Sequence, residues 1–250
     1  MVMSRSTASK GNQSKILENN YWYKADALGF EGMSEFVVST MLDFTDVPHA
    51  RYELCKFKLN NREFVGCKSK NFLKSDEELI SLLKVLRIEF GYDVTKIGLP
   101  LEQTIEKIIT DVQSLGVKGF DQYLADTLVI DALTLNDDRH FRNLALIKNN
   151  TYSVAPIFDN GGAFLSDEYS YNNNTNLEDV QAKPFSIDFD EQVTAIEHIK
   201  TSQIKVPSAD VILNKVKTKC LDFYTEKQFT QVERVLRARL RTYNYLVSKT

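Results

Sequence analysis

Two short apolar segments near the middle of the chain are framed by polar residues, and this pattern constrains the fold more than any other. Residues 144–147 and 154–158 have the composition of β-strands, and Asn149-Asn150 between them is typical of a turn. The paired arms of such a hairpin lie ~4.8 Å apart. We therefore expect Asn143 and Asp159, which stand at its two ends, to face one another.

The residues around this hairpin carry side chains that suit a metal ion. The sequence Asp-Asp-Arg-His-Phe-Arg-Asn occupies positions 137–143, directly after an apolar segment at 119–135 that reads as a helix. A helix that ends there would bring Asp138 near Asn143 and Asp159. Carboxylate and amide oxygens are ligands of hard octahedral cations, so this arrangement, with two glycines following it, favours a Mg²⁺ site.

The chain changes character after about residue 73, from strand-like to helical patterns. The earlier part has strand signals at 21–24, 51–59 and 63–67, a turn at Asn60-Asn61, and a helical stripe formed by Met33, Phe36, Val37 and Met41. The later part has a capping box at 75–78 followed by Leu79, Leu82, Leu83 and Leu86, and further helical segments at 101–115, 119–135 and 226–247. We therefore predict a small β-rich lobe followed by a larger helical one.

The composition excludes several other classes of protein. With 31 Lys+Arg against 34 Asp+Glu, the net charge is −3, whereas proteins that bind nucleic acid normally carry a basic excess. No stretch approaches the ~18 consecutive apolar residues of a membrane span, and the N-terminus lacks the apolar run of a signal peptide. The three cysteines have no C-x-x-C spacing. We expect a cytoplasmic protein with no membrane or direct nucleic-acid partner.

The segment Asp-Arg-His-x-x-Asn, followed by a hairpin and Asp-x-Gly, resembles the catalytic and metal-binding loops of the HipA-like serine/threonine kinases. The short CtkA-type members of this family are the most similar, and the family shares a phosphatidylinositol-3/4-kinase-like fold. The resemblance implies that Asp138 meets the substrate hydroxyl, that Asn143 binds Mg²⁺, and that Asp159 bridges the metal to the nucleotide phosphates. Arg139 and His140 are expected to brace the loop.

The N-terminal part can supply the other elements that such a kinase requires. Kinases hold the nucleotide phosphates with a cation that a helical carboxylate orients, and Lys24 with Glu35 fits this pair. The segment at 9–15 resembles the HipA phosphate loop, in which one glycine is followed by x-Gln-x-Lys. The resemblance implies that this loop binds phosphate oxygens through backbone N–H groups and a lysine, the candidate residues being Gly11, Asn12, Gln13 and Lys15.

The segment at 64–69 lies where the two lobes should join. By resemblance, the backbone of Cys67, Lys68 and Ser69 would contact the adenine ring of ATP. An edge strand that continues into a linker is nearly as good an interpretation of the same residues.

The resemblance as a whole implies an α+β, bilobal, protein-kinase-like fold, with a β-rich N-lobe at 1–73 and a mainly α-helical C-lobe at 74–250. The implied reaction transfers the γ-phosphate of ATP, with Mg²⁺, to Ser/Thr hydroxyls of a protein substrate, including autophosphorylation. Candidate self-acceptors are Ser9, Ser14, Ser166 and Ser170. Because the extra N-terminal subdomain of HipA is not expected here, an antitoxin or other regulatory partner does not follow automatically. A phosphoinositide or small-molecule kinase and a nucleotide-binding pseudokinase remain open.

Overall fold

The N-terminal part of the protein is a four-stranded antiparallel sheet with one helix packed on it. In the computed structural model, residues 14–247 are described, their side chains as far as residue 243. The elements are β1 (Lys15–Glu18), β2 (Tyr21–Ala25), α1 (Glu31–Leu42), β3 (Tyr52–Leu59) and β4 (Arg62–Lys70). The strand order is β1-β2-β4-β3, so β2 and β4 are the two central strands.

The strands predicted at 21–24, 51–59 and 63–67 are confirmed as β2, β3 and β4, and so is the turn predicted between the last two. Asn60 and Asn61 join β3 to β4 with φ angles of 50° and 62°. Two-residue hairpin turns of type I′ need positive φ at both central positions, and asparagine tolerates this conformation better than most residues. The asparagine pair therefore fixes the register of β3 against β4, in which Leu54 stands opposite Cys67.

α1 lies directly on the sheet because two glycines let the backbones approach. A Cβ atom on Gly32 of α1 would lie 2.7 Å from the carbonyl carbon of Gly66 in β4. A Cβ atom on Gly66 would lie 2.0 Å from the carbonyl oxygen of Lys24 in β2. Both distances are well below the ~3.5 Å at which non-bonded carbon atoms pack, so neither position accepts a side chain. The predicted apolar stripe of α1 is fully buried at Met33, Val37 and Met41.

The remainder of the chain is mainly helical, as the sequence predicts. It consists of a second, three-stranded sheet in the order β5-β6-β7, six helices and three short 3₁₀ turns within residues 71–247. The elements are β5 (Glu78–Ser81), α2 (Leu82–Phe90), α3 (Leu101–Ser114), α4 (Phe120–Thr134), β6 (Ala145–Lys148), β7 (Tyr152–Val154), α5 (Phe189–Ile199), α6 (Ala209–Leu221) and α7 (Glu226–Val247). None of the helices in the described part of the chain combines the length and the apolar character that crossing a membrane would need.

The helix predicted from the capping box at 75–78 begins later than expected. Residues 78–81 form β5, because they pair with β6 of the central hairpin, with Ile80 opposite Leu146. α2 then starts at Leu82, and its N-cap is Ser81, whose hydroxyl accepts a hydrogen bond from the backbone N–H of Lys84. A long-range strand pairing thus outcompetes a local helix signal. The helices predicted at 101–115, 119–135 and 226–247 are confirmed as α3, α4 and α7.

The predicted lobe boundary between residues 73 and 74 falls in the segment 71–77, which connects β4 to β5. The division into two lobes stays a prediction. The two parts are in contact at Asp26, which follows β2. Its carboxylate accepts hydrogen bonds from the backbone N–H of Gly32, at 2.6 Å, and from the hydroxyl of Tyr224 between α6 and α7, at 2.8 Å. Burial, reinforced by the charge of Glu31, raises the pKa of Asp26 to about 7.

Asp26 is expected to make the protein more stable in mild acid than at neutral pH. Because its folded-state pKa lies above the ordinary value of 3.8, the folded state holds a proton that the unfolded chain releases between pH 3.8 and about 7. The contribution of Asp26 to the free energy of unfolding is therefore full below pH 3.8 and falls by up to about 4 kcal/mol as the pH rises through 7. Urea titrations of wild type and Asp26→Asn at several pH values measure this. An unchanged difference between the two proteins from pH 4 to 8 would contradict the assignment.

Candidate functional site

Lys24 lies between the N-terminal sheet and the loop that follows the central hairpin. Its side chain is buried, and its Nζ is 2.6 Å from Oε1 of Glu35 on α1 and 2.8 Å from Oδ1 of Asp159. The hydroxyl of Tyr52 on β3 is 3.5 Å from the same nitrogen. The predicted lysine and helical carboxylate are therefore brought together, and the acid after the hairpin joins them.

The ionisation of this cluster follows from burial and from the opposing charges. Burial alone would lower the pKa of Lys24, but the carboxylates of Asp159 and Glu35 raise it well above its ordinary value. Burial would raise the pKa of Asp159, yet the Lys24 ammonium holds it at about 2. Burial raises the pKa of Glu35 against the pull of Lys24. At neutral pH, Lys24 is a cation and Asp159 an anion.

Lys15 brings a second cation to the same place. It stands on β1 directly opposite Lys24 in the strand register, and opposite residues of an antiparallel pair project from the same face of a sheet. Partial burial and the charge of Lys24 lower the pKa of Lys15, whereas Asp159 and Glu35 raise it. Two lysines on neighbouring strands therefore face the Asp159 carboxylate. Ser14 is described, and its carbonyl oxygen accepts a hydrogen bond from the backbone N–H of Ala25 at 2.9 Å, whereas residues 9–13 of the predicted phosphate loop, including Gly11, Asn12 and Gln13, lie outside the described residues.

Arg139 organises the loop at 136–143 and the base of the hairpin. Its guanidinium makes two hydrogen bonds to the carboxylate of Asp131 on α4, at 2.9 and 3.1 Å. It also donates to the carbonyl oxygen of Phe158 at 2.7 Å, to Oδ1 of Asn160 at 2.6 Å and to the carbonyl oxygen of Asn143 at 3.4 Å. The side chain is only 1% exposed. A single buried cation thus joins both ends of the hairpin, which is the bracing that the sequence predicts for this residue.

Asp138 and Asn143 lie in this braced loop, next to each other. The side-chain amide of Asn143 donates to the carbonyl oxygen of Asp138 at 3.1 Å. The carboxylate of Asp138 is 4.0 Å from Nζ of Lys183, measured from Oδ1. The neighbouring Asp137 uses its carboxylate to accept from the hydroxyl of Tyr171 at 2.7 Å. Both adjacent aspartates thus face later segments of the chain, and the role of Asp138 stays a prediction.

The oxygen atoms of this site fit Mg²⁺ held together with a nucleotide. The side-chain amide of Asn143 donates a hydrogen bond within the loop, its amide oxygen is of the kind that binds Mg²⁺, and Asp159 is ionised at neutral pH. Among residues 14–247, no three His, Cys, Asp or Glu side chains gather as a metal-binding group. Mg²⁺ commonly takes one or two protein oxygens and completes its shell with water and substrate phosphates. The donor set therefore suits a metal that arrives with phosphate groups.

Gly162 allows the loop after Asp159 to lie against the loop at 136–143. A Cβ atom there would be 2.8 Å from Cβ of Asp138 and 2.9 Å from Oδ1 of Asn136. Gly162→Ala is therefore expected to displace Asp138 and to lower the free energy of unfolding by about 1–3 kcal/mol. Gly161→Ala is the matched control, because its Cβ would meet Glu31 only at 3.4 Å. Denaturant titrations compare the two variants, and equal losses would contradict the close approach.

Residues 67–69, the segment predicted to contact adenine, belong to the N-terminal sheet. They lie within β4, a central strand whose backbone pairs with β2 on one side and β3 on the other. Cys67 is fully buried beside Lys24, and Ser69 is nearly so. Lys68 is on the opposite face of the sheet, where its Nζ is 3.2 Å from Glu53. The sheet already occupies this backbone, and the connection between the two parts starts only at residue 71, so contact of residues 67–69 with adenine stays a prediction.

The structure also shows the surroundings of the candidate acceptor serines and of His140. Ser166 is buried and its hydroxyl donates to the carbonyl oxygen of Gly161, so it is a poor acceptor, whereas Ser170 is exposed. Ser9 lies outside the described residues. The side chain of His140 makes no hydrogen bond with the described residues, so its predicted bracing role is not observed.

The sequence analysis did not identify the residues that contact the loop at 136–143 and the loop after the hairpin. Asp131 and Lys183 gave no signal of their own, because each belongs to a segment without a recognisable motif. Asn160 stands directly after Asp159 and could have been found from that position. Its backbone N–H donates to Oε2 of Glu35 at 2.8 Å, which ties the loop to α1.

Comparison with known proteins shows the same fold in two solved structures, one of them a kinase. No protein-family model matches the chain, and no curated protein matches its sequence significantly. The Helicobacter pylori proinflammatory kinase CtkA superposes with a TM-score of 0.65 at 17% identity, over 94% of this chain and 89% of that one. HipA of Shewanella oneidensis MR-1, solved in a toxin–antitoxin complex with HipB and operator DNA, gives a TM-score of 0.57 at 12% identity, over 93% and 64%. The predicted α+β fold, with a β-rich N-terminal part, a mainly helical C-terminal part and a likeness to the CtkA and HipA structures, is confirmed.

Proposed function

We propose that the protein is a kinase that transfers the γ-phosphate of ATP, with Mg²⁺, to Ser/Thr hydroxyls of protein substrates. The observation that carries the proposal is the position of Lys24, 2.6 Å from Glu35 and 2.8 Å from Asp159, on a fold shared with the CtkA kinase and with HipA. A buried cation paired with a helical carboxylate and adjoining an ionised aspartate is the arrangement that holds nucleotide phosphates in kinases.

The proposed mechanism depends on positioning and on charge. Phosphoryl transfer needs little covalent help from the protein, so the main tasks are to align the reactants and to neutralise the phosphate oxygens. Lys24, oriented by Glu35, binds the phosphates, and Lys15 adds a second positive charge at the same place. Asn143 and Asp159 would hold Mg²⁺, which when bound neutralises the phosphate oxygens.

Asp138 is proposed to bind the acceptor hydroxyl and to take its proton late in the reaction. A carboxylate beside a hydroxyl accepts its hydrogen bond and so orients the oxygen toward the phosphate. Arg139 does not touch the reactants; it fixes the backbone on both sides of Asp138 and Asp159. Its function is therefore to position the loop.

The acceptor class, the cytoplasmic location and the partner belong to the proposal. A protein Ser/Thr acceptor and autophosphorylation follow the resemblance to HipA-like kinases, and the HipA neighbour was solved with HipB. By analogy, a regulatory protein can accompany this chain. A phosphoinositide, a small molecule or no acceptor at all, as in a pseudokinase, are the alternatives that the experiment separates.

The test is incubation with γ-³²P-ATP and Mg²⁺ of wild type, Asp138→Asn and the control Asp179→Asn, an exposed acid outside the site. We expect labelled protein with wild type and the control, loss of label with Asp138→Asn, and phosphoserine or phosphothreonine by mass spectrometry. Label on lipid or on a small molecule supports the corresponding alternative. Mg²⁺-dependent ATP binding with no label on any acceptor identifies a pseudokinase, and label retained by Asp138→Asn removes that residue from the mechanism.

A further inference from the structure

A cavity of about 340 Å³ lies beside the catalytic loop, apart from the lysine cluster. One wall is the segment between α2 and α3, and the other comes from the catalytic loop and from the chain before α5. Ligand pockets commonly start at about 300 Å³, so the space is large enough for one or two side chains. The residues that matter for its chemistry are Ile97, Leu99, His140, Phe141, Lys183 and Phe185.

Lys183 connects this cavity to the candidate reacting group. Its side chain lines the cavity, and its Nζ donates to the carbonyl oxygen of Asp137 at 2.7 Å and lies 4.0 Å from Oδ1 of Asp138. The Lys183 side chain therefore extends from the cavity to Asp138, so the two are about one lysine side chain apart. A residue in an extended chain rises ~3.3 Å, so a side chain in the cavity would stand within about two residues of an acceptor at Asp138.

The lining of the cavity combines an apolar wall with the polar side chains of Thr95, Thr104 and Lys183 and with one imidazole that makes no hydrogen bond to the described residues. Phe141 and Phe185 pack edge to face, with ring centroids 5.1 Å apart, and Ile97 and Leu99 complete the apolar surface. Both ring nitrogens of His140 are buried and make no hydrogen bond with the residues of the described chain. Buried polar atoms nearly always have partners, so this ring calls for a donor or acceptor from outside the described residues.

We propose that this cavity binds an apolar side chain of an extended protein segment, within two residues of the Ser/Thr that is phosphorylated. A peptide offers both things that the cavity requires: an apolar side chain for the aromatic and aliphatic wall, and backbone N–H and C=O groups for His140. Lys183 then stands between the cavity and the acceptor hydroxyl at Asp138. This inference rests on the proposed function and specifies its substrate.

Another cavity in the described part, of about 390 Å³ between α3 and α5, does not adjoin the loop at 136–143. Glu102, Gln103, Glu191 and Thr194 are prominent in its lining, and no residue of the catalytic loop contributes to it. Pro100, Leu101 and Ala195 also line it, so it offers apolar surface as well, but none of its lining residues adjoins Asp138. Its place in the fold, rather than its lining, distinguishes it from the cavity at His140.

The test is a positional-scanning peptide library with a fixed central serine, phosphorylated by the full chain with γ-³²P-ATP and Mg²⁺. Wild type is expected to prefer Leu, Ile or Phe over Ser at one position within two residues of the acceptor. Ile97→Ser should raise the KM for the preferred peptide about 10-fold, because removing apolar surface from a pocket has effects of this size, and leave kcat nearly unchanged. Ile88→Ser, on the exposed surface of α2, is the matched control and should behave as wild type.

A second variant keeps the test decisive if Ile97→Ser is poorly folded. Ile97→Phe narrows the cavity and should shift the preference from Phe toward smaller apolar residues. Transfer without any apolar preference near the acceptor, or a preference that neither variant alters, overturns this inference and leaves the kinase assignment standing. Label on no peptide and no other protein overturns both, since the cavity then has no protein substrate to select.

Discussion

Asp159→Asn is expected to lower the rate of phosphoryl transfer roughly 10³-fold, as removal of a key charge at a transferring group does. The carboxylate is ionised, with a pKa held at about 2, and it contacts Lys24 at 2.8 Å. An amide at this position keeps the shape but removes the negative charge that would bind Mg²⁺. Steady-state kinetics with γ-³²P-ATP, with Mg²⁺ varied, measure the change.

The control for this prediction is Asp179→Asn, which makes the same chemical change on an exposed acid. We expect wild-type kinetics from it. Asp159→Asn should also need more Mg²⁺ for nucleotide binding, measured as the shift of the thermal unfolding midpoint by ATP. Wild-type Mg²⁺ dependence in Asp159→Asn would show that the carboxylate is not a metal ligand, even if the rate were lowered.

Arg139→Met is expected to lower the free energy of unfolding by about 3–5 kcal/mol, the usual loss when one member of a buried ion pair is removed. The guanidinium is 1% exposed and is the shared partner of Asp131, Asn160 and two backbone carbonyl groups. Methionine fills similar space but leaves the Asp131 carboxylate buried without its cation. Urea or guanidinium titrations followed by circular dichroism measure the loss.

Arg142→Met, three residues along the same loop, is the matched control, because this arginine is exposed. Its effect should stay within about 0.5 kcal/mol. The double variant Arg139→Met/Asp131→Leu removes both buried charges and should recover part of the stability lost in the single variant. A double variant less stable than Arg139→Met alone would show that the ion pair is not the source of the loss.

Local patterns in the sequence predicted the parts of the fold that depend on local interactions. The Asn60-Asn61 turn and the apolar stripes of α3 and α7 could be located because turn geometry and helical periodicity act over a few residues. β5 was missed because residues 78–81 become a strand only by pairing with β6, more than sixty residues away. No short window of sequence carries that information.

The candidate site likewise has residues that sequence motifs indicate and contacts that only the folded structure reveals. Lys24, Glu35, Asp138, Asn143 and Asp159 could be selected because they belong to motifs with fixed spacing. The contacts of Arg139 with Asp131 could not be predicted, since a buried carboxylate within an apolar helix has no periodicity of its own. A sequence pattern also does not reveal that β4, which carries the residues predicted to contact adenine, has neighbouring strands on both sides.

The glycine contact between α1 and β4 has a consequence for control of the enzyme. Gly32 and Gly66 bring the two backbones together, and the Glu35 carboxylate is held both by Lys24 and by the backbone N–H of Asn160. An outward swing of α1 would open the packed contact between the glycines and break both bonds of Glu35. We therefore expect that an inhibitor or regulator of this protein works by blocking access to nucleotide or substrate, rather than by withdrawing α1.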